Sequence, residues 1–90
     1  MANTYNTVTV QSSGATLILA ANNWRTGLTL YNNGSVIIYI GTDASVATTT
    51  GIPMAAAAAY DFNGWQSYKG AIYGIAASAT ADVRYLEWTK

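Results

Sequence analysis

Asp43, Asp61, Asp82 and Glu87 are the carboxylates of this chain, Arg25, Lys69, Arg84 and Lys90 its cations, and there is no histidine and no cysteine. General acid and base work draws first on histidine, nucleophilic attack on cysteine or on serine beside a base, and zinc on imidazole and thiolate ligands. No such set can be assembled here. The serines have no histidine or plausible lysine base beside them, and the carboxylates are too dispersed to suggest the pair a hydrolase would use. No glycine-rich phosphate loop follows a strand pattern. The chain therefore reads as a non-enzyme, with no catalytic residue, no cofactor and no metal site.

What remains is binding chemistry. The stretch "NGWQSYKG" (63–70) sets Trp65 and Tyr68 between turn glycines, an arrangement that can stack a sugar ring or anchor a protein partner. The plainer alternative is that Trp65 closes the end of the core. In "NNWR" (22–25) Trp24 stands beside Arg25, which is expected to pair with a carboxylate such as Glu87 or Asp82, with a pair across subunits as the sharper alternative. Asp43 in "GTDAS" reads as a turn residue bonding its own backbone rather than a cation ligand. Tyr5, on a polar N-terminal segment, joins Trp65, Tyr68 and Trp24 as a candidate for contact with a partner.

The composition says why a partner is expected. Of 90 residues, 51% are apolar and 9% charged, with a net charge of zero. One domain of this size buries only about 60 to 65% of the surface its unfolded chain exposes, so part of the apolar excess is left for another subunit to cover. The four cations are scattered, which argues against nucleic acid. The run "ATLILAA" (15–21) is too short and wrongly flanked for a signal peptide or membrane span, so a soluble product made in the cytoplasm is expected.

The elements that position these residues read as strands. In "TVTVQ" (7–11) Val8 and Val10 share a face, and "TLILA" (16–20) suits a strand buried on both sides. In "RTGLTLYNNGSVIIYIG" (25–41), Asn33-Gly34 predicts a type I′ hairpin turn, with Leu28 and Leu30 on one face and Thr29 and Tyr31 on the other. A second hairpin is expected between 70–78 and 82–89 across "SATA". In its last strand Val83, Tyr85 and Glu87 oppose Arg84, Leu86 and Trp88, a mixture that suits an edge or an oligomer contact. The fold class this gives is all-β, a small antiparallel β-sandwich or barrel of about six to eight strands with little or no helix. It forms one domain over 1–90 with a short arm at about 1–6.

"GIPMAAAAAYDF" (51–62) is the ambiguous segment. Pro53 and the alanines favour helix, but about two turns without an amphipathic face are marginal, and every neighbour reads as strand. An extended, closely packed strand is expected, its alanines a shallow floor for bulky side chains.

The succession "RTGLTLYNNGSVIIYIGTDASV", "GIPM" and "GAIYGIAASATADVRYLE", over residues 24 to 87, resembles short β-rich virion proteins of tailed bacteriophages. In those proteins an Arg-led strand ending in Asn, a "vyiG" strand, a "nGiP" turn and an "iyaia" strand followed by "adVr.lE" recur in that order. The alanine tract departs from the Gly-containing, more polar stretch of that pattern. The resemblance implies a β-sandwich with a structural role in the virion and no catalysis. Without a coiled-coil or collagen-like stalk, the chain suits a capsid decoration, or cement, protein: a homo-oligomer, expected as a trimer, bracing the major capsid protein on the capsid surface. The alternative is a tail, baseplate or fibre module that binds host glycan.

Overall fold

The computed structural model describes residues 2–61 and 68–90. Its strands are β1 (Ala2–Gln11), β2 (Thr16–Leu19), β3 (Arg25–Asn32), β4 (Ile38–Gly41), β5 (Ile52–Met54), β6 (Ala59–Asp61), β7 (Ile72–Ala76) and β8 (Thr80–Thr89). They form two four-stranded sheets, ordered β1-β8-β3-β6 and β2-β7-β4-β5, and every pairing is antiparallel. Among the described residues there is no helix. The fold is all-β, as the alternating patterns predict.

The order has a simple generator. Strands β1 to β4 pair with β8 to β5 in turn, so the chain is one long antiparallel ribbon, rolled so that successive pairs fall in different sheets. That is the jelly-roll arrangement. The core lies between the inner faces: Val10, Leu28, Leu30, Ala81 and Val83 from the first sheet meet Ile18, Leu19, Ile38, Ile40, Met54, Ile72 and Ala76 from the second. Leu28 and Leu30 point inward as their spacing requires, while Thr29 and Tyr31 are at least partly exposed. Gly74 is a glycine because the core passes close to it: a Cβ there would lie 2.8 Å from the Ile18 side chain.

The two expected hairpins are not hairpins. β3 and β4 belong to different sheets, as do β7 and β8, so both turns are corners where the ribbon changes layer. Asn33 does not have the positive φ of a type I′ turn, since Ala57 and Ala79 are the described non-glycine residues that do. The first corner is built instead on Asn32, fully buried, whose amide donates to Val36 O and Met54 O at 2.9 Å each and accepts from Gly34 N–H at 2.9 Å. Asn33 N–H donates to Asp82 O at 2.8 Å, which holds the corner on β8. Gly34 is then required by closeness, because a Cβ would lie 2.9 Å from Ala81 Cβ.

Three further expectations change. The alanine tract is neither a helix nor one strand: Ala55 to Ala58 turn between β5 and β6, Ala57 has φ 63°, and only Ala59 enters a strand. Most of these alanines are exposed; Ala58 packs against the core, and they form no continuous floor. In "TLILA" a bulge between Leu17 and Leu19 turns both Ile18 and Leu19 inward and leaves Leu17 outside. β8 is no edge; it lies between β1 and β3. Its mixed inner face is resolved by the charge partner described below. The segment expected as an arm is already strand, since β1 pairs with β8 from Ala2 onward.

Candidate functional site

Arg25 opens β3 and is fully buried, which a guanidinium tolerates only when its donors are satisfied. They are. Nε donates to Glu87 Oε2 at 2.8 Å, Nη1 to the carbonyls of Tyr68 and Gly70 at 2.9 Å each, and Nη2 to Ala20 O at 2.7 Å. Lys69 Nζ returns to Arg25 O at 2.7 Å, and Asn22 N–H donates to Lys69 O at 2.8 Å. The expected pair is thus Arg25–Glu87, within one chain. Asp82 pairs instead with Arg84, at 3.3 Å and exposed. With Nε, both Nη1 hydrogens and one Nη2 hydrogen committed to the fold, Arg25 acts by positioning segments.

Beside this hub the two sheets part at their short edges. A cavity of about 800 Å³ lies between the edge strands β5 and β6, lined by Ile40, Ile52, Tyr60, Asp61, Tyr68 and Ile72 together with Gly41, Thr42, Thr50 and Ala59. The Tyr60 hydroxyl donates to Pro53 O, and that of Tyr68 to Ala71 O at 3.0 Å. Both phenol hydroxyls are therefore committed to backbone carbonyls. Asp61 accepts a hydrogen bond from the Thr29 hydroxyl at 2.6 Å. Such walls suit an apolar side chain or the face of a sugar. Among the described residues no cluster of three His, Cys, Asp or Glu side chains exists to hold a metal.

The other surface is the outer face of the β1-β8-β3-β6 sheet. Register lines up Tyr5, Leu86, Thr29 and Asp61 across its four strands, with Arg84 beside Tyr31 and Trp88 beside Gly27 in the flanking rows. Tyr5 is 79% exposed, Tyr31 is exposed, and Leu86 and Trp88 are half-buried. The one charge pair among these rows is Arg84–Asp82.

Of the residues proposed as partner contacts, Tyr5 belongs to this outer face. Trp24 is 67% exposed in the turn before β3, where its carbonyl accepts from Lys90 N–H at 2.8 Å. Tyr68 is half-buried against the core, and its backbone carbonyl is one of the Arg25 acceptors. Trp65 lies outside the described residues. Trp24 and Tyr68 thus flank the Arg25 hub, while Tyr5 lies on the outer face of the sheet. Sequence reasoning missed Ile52, Tyr60 and Ile72 as cavity walls. It put Leu86 and Trp88 on one face of the last strand, in a pattern that suits an edge or an oligomer contact, without naming them as contact residues. Asp43 is a turn residue as expected: its carboxylate accepts from Ser45 N–H at 2.9 Å and from the Ser45 hydroxyl. Those two bonds hold its carboxyl below the ordinary value.

Compared with protein families, with curated proteins and with solved structures, the chain matches none.

Proposed function

We propose that this chain is a non-enzymatic structural protein of a tailed-phage virion, a decoration protein that sits on the outside of the capsid as a homo-oligomer and braces the major capsid protein. The observation that carries the reading is the outer face of the β1-β8-β3-β6 sheet, which the exposed Tyr5 and Tyr31 share with the half-buried Leu86 and Trp88, and whose charges are Asp61 and the pair Asp82–Arg84. Aromatic and aliphatic side chains left in water on one sheet face are suited to being covered by protein. The resemblance over residues 24 to 87 supplies the particle. Its "GAIYGIAAS" segment holds β7, a strand as in that pattern, whereas "GIPM", a turn in the pattern, here gives Ile52–Met54 to strand β5.

Bracing needs no single strong contact. Many copies, each touching several neighbours, raise the effective affinity and stabilise the assembled shell by mass action. A second reading, a tail or baseplate module for host glycan, is favoured by the ring-walled cavity at Tyr60 and Tyr68. The two readings separate by location. In purified particles a decoration protein is present in many copies over expanded heads, and shells stripped of it fail at lower temperature. A few copies confined to the tail would replace the decoration reading with the glycan one.

A further inference from the structure

The four sheet edges are β1 and β6 in one sheet and β2 and β5 in the other. Three are blunted in the ways that discourage strand addition. β6 has three residues and ends in Asp61, β5 has three including Pro53, and β2 has four and a bulge. β1 differs in every respect. It runs for ten residues, "ANTYNTVTVQ", paired with β8 throughout, and contains no glycine, no proline and no charge.

Its open side carries hydrogen-bonding capacity in a regular array. In an antiparallel strand alternate residues turn N–H and C=O to opposite sides. Thr7 N–H is taken by the Asn6 side chain at 2.8 Å and Gln11 N–H by Thr16 Oγ1 at 3.1 Å, so the odd-numbered residues face away from β8. Tyr5, Thr7 and Thr9 therefore turn their backbone groups to the open edge, where the Thr7 N–H is capped by its exposed neighbour Asn6, a bond that strand pairing exchanges for one across the axis. Their side chains lie on the outer face, since Val8 and Val10 turn toward the core.

We propose that β1 pairs antiparallel with β1 of a second copy about a two-fold axis, joining two β1-β8-β3-β6 sheets into one. The register sets odd residues against odd, Thr7 opposite Thr7 and Tyr5 opposite Thr9 of the second copy. This keeps both outer faces on one side; a slip of one residue would turn the valines outward. A second copy is the occupant that the edge itself specifies. The strand is uncharged, so self-pairing brings no like charges together, and a two-fold pair uses up the edge it is made from instead of propagating. The exposed Tyr5 ring then gains a cross-strand neighbour from the second copy. The proposal concerns the free protein and does not rest on where it sits in a particle.

Light scattering after size exclusion, across a concentration series, tests it. The wild-type chain is expected to show the mass of two copies. Thr9→Pro removes an outward N–H without touching the β1–β8 ladder, and Thr7→Lys places a charge at the axis; each is expected to raise the dissociation constant at least tenfold, with the circular dichroism of the folded chain unchanged. Since the protein has no cysteine, Thr7→Cys is expected to give a covalent dimer on mild oxidation, while Leu17→Cys on the edge strand β2 is not. A monomeric wild type, a mass of three copies, an unchanged mass for Thr9→Pro, or equal cross-linking at both cysteines would overturn it.

Discussion

The Arg25 guanidinium meets the Glu87 carboxylate at 2.8 Å with both side chains buried, one at the start of β3 and the other near the end of β8 beside it. Arg25 also holds carbonyls at Ala20, Tyr68 and Gly70, so one side chain ties the end of β2 and the approach to β7 to the middle of the other sheet. Removing it leaves three backbone acceptors without their donor and the carboxylate with a long 3.5 Å bond from Asn22 Nδ2.

Arg25→Leu and Glu87→Gln are each expected to destabilise the fold by about 3 to 5 kcal/mol, the range for breaking one side of a buried ion pair. Urea denaturation measures this. Arg84→Ala, which breaks the exposed pair with Asp82, is expected to cost no more than about 1 kcal/mol. Equal effects from the two pairs would contradict the structural role given to Arg25.

Asn32 makes the corner between β3 and β4 by bonding Val36 O, Met54 O and Gly34 N–H from a fully buried position. Asn32→Ala strands those groups away from water and is expected to cost about 3 kcal/mol. Asn33→Ala, at an exposed neighbour, is expected to cost much less. Thermal melting of the two variants should rank them in that order.

Ala57 has φ 63° and Ala79 φ 52°, a region that disfavours a Cβ by about 1 to 2 kcal/mol. Ala57→Gly is therefore expected to raise stability by up to about 1 kcal/mol, part of the relief being offset by the freedom glycine gains in the unfolded chain. Ala56→Gly, in the same turn but without positive φ, gives no such gain. A falling melting temperature for Ala57→Gly would contradict the left-handed turn.

Asp43 titrates below the ordinary value of 3.8 because the Ser45 hydroxyl and N–H bond its ionised form. A depressed folded-state pKa adds stability that is present above the unfolded value and is lost as pH falls through the folded one. An NMR titration should place this carboxyl below 3.8. Ser45→Ala is expected to move it upward, while the backbone bond keeps part of the depression.

The parts of the fold legible in the sequence are those set by side chains within one strand. Leu28 and Leu30 declare the inner face of β3, and the odd Glu87 among inward residues of β8 is answered by the one buried arginine. The layer to which each strand belongs was not legible. Asn33-Gly34 carries the local signature of a hairpin, yet the corner is decided by Asn32 bonding Met54, a residue 22 positions away. The alanine tract misled for a similar reason: five identical small side chains carry no inward–outward pattern, and the crossing between β5 and β6 is imposed by the strands it joins, even against the cost of positive φ at Ala57. Of the candidate site, single exposed aromatics such as Tyr5 and Trp24 were found, but the cavity was not, because its walls come from β4, β5, β6, β7 and the connections between them.

The position of β8 between β1 and β3 governs when the protein can fold at all. Ala2 lies opposite Thr89 and Asn32 opposite Val83, so a nascent chain that has already released β1 and β3 still lacks the strand that joins them. Pairings between residues so far apart in sequence make folding slow, on a scale of about milliseconds to seconds. They also leave a waiting, uncharged β1 open to other chains during synthesis. Formation of this sheet therefore waits on the emergence of β8, and yield on expression is expected to depend more on temperature and translation rate than the stability of the finished molecule suggests.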